Sequence, residues 1–273
     1  MSKRVSTVFD LFCGCGGASL GFVEAGFEVV GALDADRWAC ETFERNLGVP
    51  PVKADAFEVD FVKLRSKLGL DSGELDVLIA CPPCQPFTRW AKTNGDPGVD
   101  RRRLLIPLVC RVVEAFEPKF VFFENVPSLV KSDSPWKRYF DKLAGGLKPL
   151  GYRVVTWTLD AADYGVPQRR RRLIALATRL RGVELKAPSP THGPPDDPEV
   201  ASGRKRAWRT VRDAISDLPP LNAGERADRP PNHVALNLKP EKLDLVEKIP
   251  KDGGRLIDVL PNELPYHCLL YTS

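Results

Sequence analysis

The 273-residue sequence predicts an α/β fold, with a mainly parallel sheet and helices on both faces. Three observations carry this. Between Val5 and Thr178, short apolar runs rich in β-branched and aromatic residues alternate with stretches of helical apolar spacing. Each run is about four to eight residues long, the length of a buried strand. Most runs end at a glycine, a proline or a carboxylate, which punctuates them as separate elements. Strands that alternate with helices of this length argue for βαβ units.

Val5–Phe12 reads as the first strand and runs directly into the glycine turn Cys13–Gly17 and a helix. Phe27–Leu33 is the second strand, closing at Asp34, and Arg37–Asn46 the second helix. A short segment near Val52 ends at Asp55, and Phe57–Leu68 has helical spacing. Leu75–Ala80 is a buried strand stopped by Pro82 and Pro83, which supply no backbone N–H and fix φ. A helix over Leu104–Phe116, the strand Lys119–Phe123 ending in Glu124, a helix over Trp136–Leu147 and strands over Tyr152–Leu159 and Leu173–Thr178 complete the pattern. Composition shifts after about Arg181. Ala187–Pro195 is proline-rich, and beyond it only Val211–Asp217 has modest amphipathic spacing. The expected division is a main domain over residues 1–182, then a linker and a partial second region over 183–273.

Hydrophobic residues at 43% and charged residues at 28% describe an ordinary globular chain. A net charge of +4 permits a polyanionic partner without requiring one. Arg101–Arg103, Arg169–Arg172 and Arg204–Arg206 concentrate the positive charge, although such runs are usually solvated faces. Seven cysteines, an odd number without a disulfide-like framework, point to a reducing compartment. Asp10 breaks the apolar start of the chain, so Met1–Phe12 does not read as a signal peptide. No run approaches the roughly 18 apolar residues of a membrane span. The expectation is a cytoplasmic, nucleoid-associated monomer with no membrane contact and no bound metal.

The most informative stretch is Ala80-Cys81-Pro82-Pro83-Cys84-Gln85-Pro86-Phe87-Thr88. It emerges from a strand at the edge where open α/β sheets bind their ligands. A thiol held there on a stiff turn suits nucleophilic attack. Three other readings stand beside this one: a redox C-x-x-C pair, half of a zinc site, or two small core residues. No second C-x-x-C or C-x-x-H pair follows to complete a zinc site. The glycine loop lacks the strict G-x-G-x-x-G spacing, since Ser19 occupies its last position. Asp34, about twenty residues on, suits a ribose hydroxyl, and Asp55 suits an exocyclic amine. Adenosine with a tail other than pyrophosphate fits this set, so S-adenosylmethionine is favoured over NAD; a purely structural glycine turn is the alternative. Glu124 leaves an apolar strand, whose surroundings would favour its protonated form; it also suits an ordinary helix-start acid or salt-bridge partner. In extended backbone Gln168, Arg170 and Arg172 share one face, and a guanidinium fork there matches a carbonyl oxygen or phosphate.

In order, DLFCGCGGASLGF, Asp34, Asp55, PPCQPFT, ENV and QRRRR resemble the DNA (cytosine-5) methyltransferases of the bacterial type, from Phe9 to about Thr178. The resemblance implies a Rossmann-like S-adenosylmethionine-dependent methyltransferase fold acting on double-stranded DNA. It implies Cys84 as a nucleophile toward C6 of a flipped cytosine, and Glu124 as proton donor to N3. Arg170 and Arg172 would contact the target cytosine and its phosphate. Phe12, Gly14, Gly17, Asp34, Asp55, Pro83 and Leu105 would line the S-adenosylmethionine site. Ala35 departs from the pattern, since many relatives carry there a tryptophan that stacks on the adenine. The loop Phe87–Arg103 would close over the extruded base, with Arg101–Arg103 on phosphates. A cognate restriction endonuclease is a candidate genetic partner.

After Thr178 the family's last motifs have no counterpart, and Leu264–Ser273 lacks turn or capping logic. The chain is therefore expected to be a C-terminally truncated methyltransferase with impaired activity. The rival readings are a tRNA cytosine-5 methyltransferase, an exocyclic amino methyltransferase, which would want an aromatic residue in place of Cys84, and an inactive module that binds DNA or S-adenosylmethionine.

Overall fold

The computed structural model describes residues 4–87 and 100–249. Part of the loop Phe87–Arg103 and the ending Leu264–Ser273 lie outside these residues. Two compact units are present. One comprises the chain through Asp160 together with Arg171–Ser189; the other comprises Ala161–Arg170 and the chain from Pro190 onward. This division differs from a single break at residue 182, because the tip of one hairpin leaves the sheet.

The first unit is a seven-stranded sheet. Its strands are β1 (Thr7–Leu11), β2 (Glu28–Asp34), β3 (Val52–Lys53), β4 (Val77–Ala80), β5 (Phe120–Asn125), β6 (Arg153–Asp160) and β7 (Arg171–Thr178), in the spatial order β3-β2-β1-β4-β5-β7-β6. The pairs β1–β2, β2–β3, β1–β4 and β4–β5 are parallel, whereas β7 runs antiparallel to both β5 and β6. The order reverses between β1 and β4, which makes their ends the ligand crevice of such a sheet.

The helices are α1 (Gly17–Glu24), α2 (Arg37–Leu47), α3 (Phe61–Lys67), α4 (Leu105–Phe116) and α5 (Lys137–Leu147). Period-two alternation explains why they cover both faces. Along β4, Val77 and Ile79 join the apolar cluster containing Val8, Val29 and Phe43, with Phe22 packed against it. Leu78 and Ala80 join the larger cluster containing Phe9, Leu64, Val109, Phe116 and Phe140. α1 and α2 thus seal one face, and α3, α4 and α5 the other. Asp36 and Asp60 cap α2 and α3 by accepting from Ala39 N and Lys63 N, as short acidic side chains do at helix starts.

The second unit holds a two-strand pair, β8 (His192–Gly193) and β9 (Arg206–Ala207), and the helices α6 (Pro198–Ala201), α7 (Val211–Ile215) and α8 (Pro240–Glu247). α7 corresponds to the expected Val211–Asp217 helix and begins with a Thr210–Asp213 capping box. α6 and α8 escape the periodicity reading. They are short, each starts with a proline, and neither buries a residue.

Phe9 and Phe116 stack at 5.1 Å between ring centroids and are fully buried. Phe116→Ala should therefore lower the stability of this unit by about 3–5 kcal/mol, read from its urea unfolding midpoint; a change below about 1 kcal/mol would show that the α4 contact is not part of the core.

Candidate active site

The chain turns sharply at the end of β1. Phe12 adopts a left-handed φ of 67°, and the N–H groups of Phe12 and Cys13 both donate to Leu33 O, at 2.9 and 3.1 Å. Gly14 N–H donates to Asp34 Oδ2 at 2.9 Å, tying the loop to the end of β2. The glycine that this turn cannot lose is Gly16. It has φ of 92°, and an added Cβ would lie 2.9 Å from Leu47 Cδ1 and 3.0 Å from Phe43 Cδ2.

A cavity of about 270 Å³ opens beside this turn. Phe12, Asp34, Asp55, Pro83 and Leu105, five of the seven expected cofactor residues, line it together with Ala35, Phe57, Arg101 and Arg102. Gly14 and Gly17 do not line it. Gly14 acts through its bond to Asp34, and Gly17 opens α1. Two carboxylates beside aromatic and aliphatic surface suit an adenosine, with hydroxyl and amine donors facing the acids. Ala35 brings no ring, but Phe57 does, a contribution that sequence reasoning missed. Asp55 accepts from Phe57 N and Arg101 Nη1, both at 3.0 Å, and the Arg101 guanidinium lies 4.1 Å from the centre of the Phe57 ring.

Cys84 leaves the end of β4, and a single turn over Gln85–Phe87 follows it. Three of the six residues 82–87 are proline, so the loop has few N–H groups with which to fix itself. Its carbonyls are held from outside: Asn125 Nδ2 donates to Pro82 O at 2.9 Å, and Ser128 Oγ to Phe87 O at 3.3 Å. Asn125 is fully buried; its signal in the sequence was the shortage of donors in a proline-rich turn. Cys81 and Cys84 are both free thiols. Burial pushes the Cys81 thiol well up, and the Asp10 and Glu124 charges add to this. The attacking thiol of a redox pair needs an easily formed thiolate, so Cys81 is unsuited to that part.

Register brings the next group alongside. Ala80 pairs with Phe123, so Glu124 emerges on the strand next to the Cys84 loop. Asn125 pairs with Leu173 on β7, which places Arg172 one residue beyond; its Nε lies 3.0 Å from Glu124 Oε1. The carboxylate thus meets a guanidinium, as the salt-bridge reading has it, in place of the apolar surroundings that the strand before it suggested. A second cavity of about 410 Å³ borders the same loop, with Phe87, Ser128, Lys131, Thr158 and Arg171 among its lining.

The expected extended alternation of Gln168, Arg170 and Arg172 does not hold, because β7 begins only at Arg171. Arg170 belongs to the second unit, where its carbonyl accepts from Ala161 N at 3.0 Å. In that unit Trp208 Nε1 donates to Asp163 Oδ1 at 3.0 Å, and the Arg169 guanidinium lies 4.1 Å from the Trp208 ring centre. Trp208, invisible to motif reading, thereby braces the hairpin tip that carries Arg170. The expectation of three arginines 101–103 on phosphates also changes. Arg101 is held by Asp55, Arg102 pairs with Asp100 at 2.7 Å, and Arg103 is buried.

Comparison with known proteins matches the C-5 cytosine-specific DNA methylase family over residues 6–227. The chain belongs to this family. It is 33% identical over 256 residues to the type II methyltransferase M1.HphI of Haemophilus parahaemolyticus, covering 93% of this chain and 63% of that protein. It is 31% identical over 252 residues to the type II methyltransferase M.AquIA of a Picosynechococcus species, covering 87% of this chain and 95% of that protein. A crystal structure from E. coli, of a prophage-encoded protein assigned as a DNA modification methyltransferase, superposes with a TM-score of 0.63 at 26% identity, covering 82% of this chain and 58% of that one. The chain spans between 46% and 65% of the length of four curated relatives, M1.HphI among them.

One buried acid in this chain was not anticipated. Asp10 on β1 is fully buried beneath α1, accepts from Ser19 Oγ at 2.6 Å, and has a second oxygen with no hydrogen-bond partner. Burial raises its carboxyl from 3.8 to about 7, opposed by the Ser19 bond and reinforced by the Asp34 charge. Between those values the folded chain keeps a proton that the unfolded chain has released. The stability from this group is full below the unfolded value and is lost as pH rises to about 7. Asp10→Asn cannot ionise, so its urea midpoint should gain on that of the unsubstituted chain between about pH 4 and about pH 7 and level off above that. Parallel midpoints over that range would contradict the assignment.

Proposed function

We propose that this chain carries the catalytic machinery of a DNA (cytosine-5) methyltransferase. What supports this is the register that sets Cys84 and the Glu124–Arg172 pair at the ends of the adjacent strands β4 and β5, with Pro83 of the same loop lining a cavity suited to an adenosine. C5 of cytosine is a poor nucleophile until something adds at C6. In this reading the Cys84 thiolate forms a bond to C6 of a cytosine extruded from the duplex, since the atom is out of reach inside the stack. Glu124 passes a proton to N3 as the thiolate adds, which gives the displaced ring electrons a place to go; because the Arg172 pair favours the carboxylate, that proton is drawn through Glu124 from solvent. Arg172 would steady the Glu124 carboxyl through their 3.0 Å ion pair, and the family resemblance assigns Arg170 to the cytosine or its phosphate. Phe12, Asp34, Asp55, Pro83 and Leu105 would hold S-adenosylmethionine, whose sulfonium would supply the methyl group for C5 and leave as the thioether S-adenosylhomocysteine. A solvent base would then take the C5 proton; that electron pair forms the C5–C6 double bond, the C6–sulfur bond breaks to release the Cys84 thiolate, and N3 returns its proton to Glu124.

The family match and the type II methyltransferase names of the relatives support DNA as the target and a restriction endonuclease as a genetic partner. Three expectations follow. A duplex carrying 5-fluorocytosine, given S-adenosylmethionine, should form a denaturation-resistant adduct that Cys84→Ser abolishes, whereas a matched RNA should not. An adduct that survives Cys84→Ser, or a preference for the RNA, would overturn the reading. Glu124→Gln should slow adduct formation by about 10²–10⁴-fold while leaving S-adenosylmethionine binding within about twofold.

A further inference from the structure

Arg103 stands apart from its neighbours. It lies in the single turn Arg101–Leu104, yet only 2% of its surface is exposed. Its Nε donates to Pro86 O at 3.2 Å, and its guanidinium carbon lies 4.5 Å from the centre of the Trp136 ring. Trp136 packs edge-on against Phe87 with ring centroids 6.0 Å apart, and Phe87 in turn meets Tyr139 at 5.6 Å. Arg103 Nη1 is buried with no hydrogen-bond partner, and among the described residues no carboxylate forms an ion pair with it.

A buried guanidinium that feels the Asp100 charge but makes no direct ion pair among the described residues is a poor way to fill space. An apolar side chain of similar volume is often neutral or better for stability, and an unpaired buried donor is unfavourable by itself. The position of Arg103 explains why the charge is tolerated. Pro86 is flanked by the Cys84 turn, its carbonyl is internal, and the prolines at 82, 83 and 86 leave the loop short of donors. The backbone of this loop is fixed at Pro82 O by Asn125, at Cys84 O by Phe87 N, at Phe87 O by Ser128, and at Pro86 O by Arg103. Arg103 also contacts, through Trp136, the ring cluster that seats Phe87, so one side chain grips the turn through both its backbone and its packing.

We propose that Arg103 is a positioning residue for Cys84: its guanidinium sets the Gln85–Phe87 turn and thereby the direction in which the thiol is presented. The inference rests on the reading of Cys84 as nucleophile, and it differs from the roles of Arg101 and Arg102, which line the adenosine-sized cavity while Arg103 does not.

The test compares the unsubstituted chain with Arg103→Met, which keeps volume without charge, and Arg103→Lys, which keeps one donor but loses the planar stack. Alkylation of each thiol by iodoacetamide is followed by mass spectrometry, with the exposed Cys15 as internal reference. In Arg103→Met, Cys84 should alkylate about threefold faster relative to Cys15 as the turn loosens. Adduct formation on the 5-fluorocytosine duplex should fall by about tenfold or more, and the melting temperature should hold or rise. Arg103→Lys should lie between the two, and it serves as the test if Arg103→Met does not fold. A Cys84-to-Cys15 ratio unchanged in both variants, or adduct loss that only follows a fall in melting temperature, would overturn the proposal. If Cys84→Ser forms the adduct as well as the unsubstituted chain does, the nucleophile reading fails, while the alkylation ratio still reports whether Arg103 controls the turn.

Discussion

Four neighbouring strands that run parallel must all end at the same edge of the sheet, and the candidate chemistry of this protein follows from that constraint. β2, β1, β4 and β5 deliver Asp34, Phe12, Cys84 and Glu124 to one side. Helices occupy both faces, so this edge is the part of the sheet left open to a ligand. The reversal between β1 and β4 separates the turns there and makes room for the cavity.

The edge would be of little use if its loops moved. Each is held by bonds that start elsewhere in the chain. The glycine turn is tied to Asp34, the proline loop to Asn125, Ser128 and Arg103, and Glu124 to Arg172. Proline and glycine give these loops their shapes but take away hydrogen-bonding partners or steric restraint. Buried polar side chains make up the difference. Asp10 belongs to the same pattern: with Ser19 it pins the first turn of α1 to β1 directly under the site. Such groups add little net stability, and their worth is in fixing one arrangement.

Much of this was legible in the chain. The order of elements and the parallel character of the central sheet could be read from apolar runs and from what ends them, and five of the seven residues expected at the cofactor site line the cavity. Strand ends are readable because a buried strand needs an unbroken apolar run, while the residue that stops it is free to be chemical. Less was legible after β5. The pairing of Glu124 with Arg172 depends on β7 returning antiparallel, and the apolar character of KFVFF pointed the other way. The three adjacent arginines 101–103 look alike in sequence, yet one reaches Asp55, one folds back on Asp100 and one is buried.

The sequence by itself determined which residues carry chemistry, because thiol, carboxylate and guanidinium groups are properties of the residue and sit at recognisable strand ends. It also determined the α/β class, because periodicity is a local property. The tertiary structure alone decided which of those groups meet, which glycine is indispensable and which arginine is buried. Those outcomes depend on strand register and on contacts between segments far apart in the chain, such as Asn125 with Pro82 and Arg103 with Pro86, and no local pattern encodes them.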